Sequence, residues 1–366
     1  MFDRILLSGG SGAVGSHVLQ DLRTSHPSAE IYCLARSRSA GQKISDGLGK
    51  NLRNRVRIVY ADLTKAADGL RLAEELGRTR RALAVHCAAD VSWTKSERLL
   101  APINVDGSIA FADLAVRVSR ERPSFVFLST AFLSDDGQQR NAYEATKLAA
   151  EKLLCGRHGR DLQLSVIRCS LIVGDSVEGR ISRFNGLYPL IRLVALGEVP
   201  CVIADRNYRI DIVPVDFVSR QIVVAAATEP EPQPLQLLVA AGESGSVAIT
   251  DLVQRVQTRT SQFRAANGLG PSPEVSVINS RQYRFLMKAS QSWDMTQRFE
   301  RVEQISGLMA GYIAHGETGR AIVPRTLGEP PPDPQAYLDV VVDYWLAAHR
   351  QKVLADMRHE WLEGVR

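Results

Sequence analysis

The sequence predicts an α/β fold: a doubly wound parallel sheet carrying a smaller, mostly helical C-terminal cap. Three observations predict it. Short apolar runs alternate with helical patterns through the first half of the chain. A glycine cluster stands between the first run and the first helix. The alternation stops after about Gly174. The chain has 366 residues, room for one large domain or two fused ones. Apolar residues make up 45% and charged residues 23%, globular values that allow a core without disulfides or structural metals.

Taken in order, Arg4–Ser8 (RILLS) is the first strand, ending in the glycine cluster, and Val14–Leu22 has helical spacing. Ile31–Ala35, Val56–Tyr60, Ala84–Ala88, Phe125–Leu128 and Leu164–Ile167 are the next five strands. Ile109–Val118 and Ala142–Leu154 are helices between them. Such crossovers are right-handed in nearly all parallel sheets, which leaves little choice of topology. Beyond Gly174, residues 176–209 read as a loop and an apolar helix around Tyr188–Leu196. Ile210–Val218 is apolar again, Ile222–Ala227 is a helix and Leu235–Ala241 a strand. Residues 251–265 and 337–358 read as helices, the latter after the breaker Pro330–Pro334. The organisation read from this is a dinucleotide domain at 1–175 and 210–241, interleaved with a substrate cap at 176–209 and 242–366.

Lys plus Arg is 45 against 40 for Asp plus Glu, a net charge of +5. The arginines of Arg53–Arg57 and Arg78–Arg81 have no aromatics interleaved with them, so they read as solvated faces and no nucleic-acid partner is expected. Five cysteines, an odd count without a CxxC pair, read as reduced thiols. Scattered histidines argue against zinc. No apolar run approaches the ~18 residues that span a bilayer. Met1–Gly10 lacks the features of a signal peptide. A cytoplasmic protein without a membrane span is the expectation; nothing fixes its oligomeric state.

Gly9, Gly12 and Gly15 give the spacing GxxGxxG directly after a strand and into a helix. The first glycine permits the tight turn, the second lets backbone approach a pyrophosphate, and the third lets helix and strand pack closely. The helix N-terminus supplies free N–H groups and partial positive charge for phosphates. A Rossmann domain selective for NAD carries Asp or Glu after its second strand; here Leu34-Ala35-Arg36-Ser37-Arg38 stands there. Arg36 offers a planar fork to a 2′-phosphate, with Arg38 as a helper, so NADP(H) is expected. The alternative for both arginines is loop solvation. Asp62-Leu63 closes the third strand, where the carboxylate would accept from an adenine amino group or cap a helix.

Tyr143 and Lys147 stand four residues apart, on one face of a helix. A nearby ammonium favours phenolate and lowers a tyrosine pKa from its usual ~10. A tyrosine so tuned can give a proton to a carbonyl oxygen as hydride arrives at its carbon. Ser129-Thr130 ends the fifth strand, at the carboxyl edge where open α/β sheets bind ligands. A YxxxK pair alone also fits a core tyrosine beside a solvated lysine. Tyr188, Phe184 and Trp93 could line an apolar pocket, with core packing as the alternative.

In their order and spacing, the glycine loop, Asp62-Leu63, His86-Cys87-Ala88-Ala89, Asn104-Val105-Asp106-Gly107, Ser129-Thr130 and Tyr143/Lys147 resemble the extended short-chain dehydrogenase/reductases. The resemblance covers about residues 4–240. Cys33-Leu34-Ala35-Arg36, Ala89-Asp90-Val91-Ser92-Trp93, Ile172-Val173-Gly174-Asp175-Ser176, Tyr188-Pro189-Leu190 and Asp211-Ile212-Val213-Pro214-Val215-Asp216 resemble its thioester reductase and fatty-acyl reductase branch. That branch uses NADPH to reduce acyl thioesters to aldehydes, sometimes on to alcohols. The resemblance implies that Thr130 polarises the carbonyl, Tyr143 donates the proton, and Lys147 holds the nicotinamide ribose. It implies that Ser11, Gly12, Ala13 and Val14 line the phosphates and that Ala88 and Ser129 lie near the cofactor. Cys169-Ser170 stands where the family often has Pro-Ser, in the loop that approaches the nicotinamide. Ser8 replaces the usual threonine. No adenylation or carrier domain is visible, so the expected substrate is a carrier-bound thioester taken in trans, an acyl-CoA, or a small ketone or aldehyde. Two further readings stay open. One is a nucleotide-sugar epimerase or dehydratase, which would retain its cofactor through the cycle. The other is a non-catalytic dinucleotide sensor.

Overall fold

The computed structural model describes residues 2–48, 55–134, 139–205, 207–229, 231–290 and 323–355. They form two compact units. The first takes Met1–Ser170, Val215–Ala240 and Pro324–Pro331; the second takes Leu171–Pro214, Ala241–Val323 and Pro332–Arg366. The chain therefore changes unit at Ser170 and Val215, where the sequence reading put 175 and 210. The strip Pro324–Pro331, read as cap, belongs to the first unit.

In chain order, β1 (Arg4–Ser8) leads to α1 (Ala13–Ser25), β2 (Glu30–Ala35) to α2 (Arg38–Gly47), and β3 (Val56–Tyr60) to α3 (Ala66–Leu76). β4 (Ala82–His86) leads through α4 (Glu97–Ala101) and a π-turn at Pro102–Asp106 to α5 (Gly107–Val118). β5 (Ser124–Thr130) is followed by α6 (Ala142–His158) and β6 (Gln163–Cys169). The second unit then takes β7 (Leu171–Val173), α7 (Tyr188–Ala195), β8 (Cys201–Ile203), β9 (Arg209–Ile210) and β10 (Ile212–Pro214). α8 (Val215–Ala227) and β11 (Leu235–Val239) return to the first.

Seven strands form one sheet in the order β11-β6-β5-β4-β1-β2-β3, each pair parallel. The sheet grows one way from β1 to β3 and the other way from β4 to β11. The switch point lies between β1 and β4, with Ser8 in register with His86 at the carboxyl edge. Helices on both faces explain why the central strands read as unbroken apolar runs: Ile5, Leu6, Leu7, Leu83, Ala84 and Phe125 are all buried.

The strands stand where the sequence put them, within two residues. The helices differ more. α2 and α3 were not assigned, and Ile210–Val218, read as one apolar stretch, divides: β10 ends at Pro214 and α8 starts at Val215. The helix expected over 337–358 is interrupted at His349, between Leu338–Ala348 and Arg350–Val353; its end from 356 on, like Arg53 and Asn54 of the first arginine cluster, lies outside the described residues. Across the π-turn, Glu97–Val118 forms one helical run of 22 residues in which an 18-residue stretch has mean hydropathy 1.4, long and apolar enough by composition to cross a membrane. No uninterrupted apolar stretch marks it, because Asp106 and Asp113 break the run. In the first unit its α5 part is a core helix, burying Ile109, Phe111, Leu114 and Val118.

In the second unit, helix Ile249–Ala265 packs with Leu338–Ala348 and is tied to it by Arg259 and Asp343. Tyr188 is buried, accepts the Gly174 N–H at 2.8 Å, and meets Phe184 edge-on at 4.9 Å. Phe184 also packs near Tyr344 and His349. The Tyr188–Phe184 pair is therefore core packing of this unit. Trp93 lies in the first unit, half-buried.

Candidate active site

The site is built at the carboxyl edge of the sheet, beginning with the turn after β1. Gly9 has φ +75°, and a Cβ there would stand 2.6 Å from Ala88 N and from Cys87 C. At Gly15 a Cβ would stand 2.2 Å from Gly9 O. These two positions admit only glycine, and they press the loop against the end of β4. Gly12 donates its N–H to Gly9 O at 2.8 Å, closing the turn. It also stands at the N-cap of α1, so no side chain occupies the first N–H groups of the helix, and no acid lies in its first turn. Ser11 and Ala13 are half-buried around this end and Val14 is buried. The result is a cradle of backbone donors with an unneutralised positive pole.

Arg36 is exposed directly after β2, and Arg38, also exposed, is the first residue of α2, capped by Ser37 Oγ accepting from Ala40 N–H. Asp62 follows β3 but does not cap α3, whose N-cap position is Lys65. Its Oδ1 instead accepts the Thr64 N–H at 3.1 Å and the Thr64 hydroxyl at 2.8 Å. Burial pushes this carboxyl's pKa up, but the Thr64 bonds and the charges of Arg36 and Lys65 outweigh it, so the group is held below its usual range. Leu63 packs against the core of the first unit.

At the end of β4, His86 is buried and bonded on both ring nitrogens. Nδ1 lies 2.6 Å from Ser8 Oγ and Nε2 3.0 Å from Ser108 Oγ. Ser108 gives its proton to Asn104 O at 2.7 Å, so it must accept from Nε2–H, and Ser8 then donates to Nδ1. Burial and the nearby Lys147 charge push the imidazole down to about 3, so it is neutral. One neutral ring thus joins the strand before the glycine loop to the start of α5, just past the π-turn. Within that turn, buried Asn104 accepts the Asp90 N–H at 2.8 Å and donates to Asp90 O at 3.0 Å and Thr146 Oγ1 at 3.1 Å. Ala88 begins the loop that leads to Asp90.

Ser129 and Thr130 end β5, and α6 enters beside them. Asn141 caps α6 by accepting the Glu144 N–H at 2.9 Å. Tyr143 is half-buried and Lys147 buried, on one helix face. Lys147 Nζ sits 3.9 Å from the centroid of the Phe127 ring. Burial lowers its pKa to about 8, opposed by Glu151 and the thiols of Cys87 and Cys169. Thr130 Oγ1 accepts the Phe132 N–H at 3.4 Å. Ser129 Oγ and Ser170 Oγ are buried, at β5 and just past β6, with no hydrogen-bond partner. Two orphaned hydroxyls and the glycine cradle fit a dinucleotide laid along this edge.

The catalytic and cofactor-binding candidates read from the sequence all lie in the first unit. Thr130, Tyr143, Lys147, Ser129 and Ser170 gather at the β5–β6 side; the glycine loop and Ala88 gather at the switch point; Arg36, Arg38, Asp62 and Leu63 stand at the β2–β3 end. The reading gave no role to His86, Ser108 or Glu151. Glu151 had a signal, its place four residues beyond Lys147. The pairing of His86 with Ser8 depends on strand register, which the sequence does not carry.

A family model described as male sterility protein, an NAD-binding family, matches residues 7–140 and 133–222. The isonitrile lipopeptide synthase of Streptomyces coeruleorubidus is 30% identical over 249 residues, 60% of this chain and 16% of that protein. The chain spans less than a fifth of the length of the curated relatives it matches. In fold it resembles a thiolation-reductase di-domain from an archaeal non-ribosomal peptide synthetase, with TM-score 0.71 and 16% identity over 96% of this chain and 76% of that one. It also resembles the UDP-glucuronic acid 4-epimerase of Bacillus cereus in complex with NAD, with TM-score 0.61 and 14% identity over 95% and 98%. The sheet is thus a Rossmann-type fold, and the NAD-binding family model supports a nicotinamide dinucleotide as its cofactor. With its family model running from the first strand into α8, across more than half of the sequence, the chain belongs to the NAD-binding male sterility protein family.

Proposed function

We propose that the chain is an NADPH-dependent reductase that takes hydride to the carbonyl of an acyl thioester, carrier-bound or CoA-bound. The observation that carries this reading is the half-buried Tyr143 and buried Lys147 on α6, beside Thr130 and two unpartnered buried hydroxyls at the carboxyl edge. The cradle of Gly9, Ser11, Gly12, Ala13, Val14 and Gly15 would take the pyrophosphate. Arg36, helped by Arg38, would take the 2′-phosphate. Asp62 and Leu63 would border the adenine. Ala88, Ser129 and Ser170 would face the nicotinamide half, and Lys147 its ribose. Bound there, the nicotinamide supplies the hydride.

Thr130 Oγ1 and Tyr143 Oη would both bond the carbonyl oxygen and stabilise its developing charge. Tyr143 Oη then gives that oxygen its proton, and the Lys147 ammonium eases the departure. The C–S bond of the resulting hemithioacetal breaks, releasing aldehyde and free thiol. The relatives' names, among them a lipopeptide synthase and a thiolation-reductase di-domain, support a carrier-bound substrate. The second unit would act as the substrate cap.

NADPH oxidation against a panel of acyl-CoAs, carrier-bound acyl groups and aromatic ketones, with products identified, tests the reading. Oxidation stoichiometric with aldehyde and thiol supports it. Turnover of a nucleotide sugar without net oxidation would replace it with the epimerase reading. Tyr143→Phe is expected to lower kcat at least ~100-fold while leaving cofactor Kd within about twofold. Unchanged kcat would remove the assigned role, and loss of both would point to a structural one.

A further inference from the structure

α6 places Glu151 four residues beyond Lys147, so Tyr143, Lys147 and Glu151 form one stripe along the helix. Lys147 and Glu151 are both buried. A buried ammonium keeps its proton only where something compensates the lost hydration. The groups facing Lys147 come from four elements. From α6 there are the Tyr143 phenol and Glu151. From β4 and the residue after it come neutral His86 and the Cys87 thiol, which burial pushes up to about 12. From β6 comes the Cys169 thiol, pushed higher still by burial. From β5 comes the Phe127 ring. Both thiols thus stay protonated, which leaves Glu151 as the carboxylate that favours the charged lysine.

Glu151 is itself held. Arg168 Nε lies 3.2 Å from each of its carboxylate oxygens, and Arg168 Nη2 donates to Oε2 at 2.6 Å. Arg168 stands on β6 in register with Ser129, next to Thr130. The guanidinium therefore does two opposed things. It fixes the carboxylate on the lysine side of the helix, and it drains part of the negative charge that the lysine feels.

We infer that Glu151 is a positioning residue that sets how long Lys147 stays protonated as pH rises, and that Arg168 trims this effect. This rests on the proposed role of Lys147 in the reaction. Glu151→Gln is expected to lower the Lys147 pKa by about one unit, since an opposite charge is lost and Arg168 is left unpaired nearby. Arg168→Gln is expected to move it the other way, by a smaller amount, because Glu151 then acts undiluted.

The direct measurement is an NMR titration of ¹³C-lysine-labelled protein, with the Lys147 Cε resonance identified by its loss in Lys147→Met. The second is the alkaline limb of the kcat profile. Opposite shifts in the two variants, by NMR, establish the inference. Shifts of the same sign, or none, overturn it, since a purely structural ion pair would disturb both variants alike. If Glu151→Gln does not fold, Arg168→Gln decides alone: an upward shift supports the inference and no shift overturns it. If the NMR pKa values move apart but the kcat limb stays fixed, the inference stands and the role of Lys147 in the reaction falls.

Discussion

The proposed preference for NADPH turns on a single position, Arg36. A carboxylate after β2 would repel a second phosphate there; an exposed guanidinium welcomes one. Arg36→Asp is expected to weaken NADPH binding ~10-fold or more while changing NADH binding little, because a bidentate charge pair is worth on the order of 1.5–3 kcal/mol. Equal losses in titrations with the two cofactors would refute the contact. Thr130, Tyr143 and Lys147 were legible because their signals are local: a hydroxyl at the end of an apolar strand, and a spacing of four on a helix. His86 was not, since its two partners, Ser8 and Ser108, are 78 and 22 residues away. Asp62 could be singled out as a candidate, but its bonding could not be read. The sequence offered a helix cap, and the chain turns on Thr64 first.

At the scale of elements, the turn between β1 and α1 leaves no room for a side chain at Gly9 or Gly15. Gly15→Ala would push a methyl group into Gly9 O, a backbone atom that cannot swing aside. The expected outcome is a loss of about 1–3 kcal/mol in stability by denaturant unfolding, with weaker dinucleotide binding as the loop shifts. Wild-type stability and affinity together would mean that the loop yields. The central strands were legible because they are buried on both faces and read as apolar runs. α2 and α3 were not, for a matching reason: α2 buries only Gly41 and Ile44, and α3 only Leu72. So shallow a buried face leaves little periodicity to see. The stretch Ile210–Val218 hid a boundary, because β10 and α8 adjoin directly and are both largely buried, with Asp211 before the strand and Asp216 inside the helix.

At the scale of the whole molecule, the chain visits the first unit three times. Its last visit, Pro324–Pro331, has no apolar pattern and was read as cap. It is held through backbone instead. Leu238 and Arg325 exchange two hydrogen bonds, N–H to O, at 3.0 and 2.9 Å. Buried Gln221 on α8 donates to Leu327 O at 2.9 Å and accepts the Leu327 N–H at 2.7 Å, as a peptide group would. Gln221→Ala is expected to cost about 1–3 kcal/mol and to open this strip to protease, since two backbone groups lose their partner. Unaltered unfolding and cleavage would show that the strip is held elsewhere.

The widened turn at Pro102–Asp106 has a mechanical consequence. One amide, that of Asn104, grips the segment after β4 with two bonds and α6 with a third. Thr146 passes the grip to the carbonyl of Tyr143 at 2.9 Å. The segment after β4 and α6 are therefore strapped together by side-chain bonds that run from Asp90 to the backbone of Tyr143.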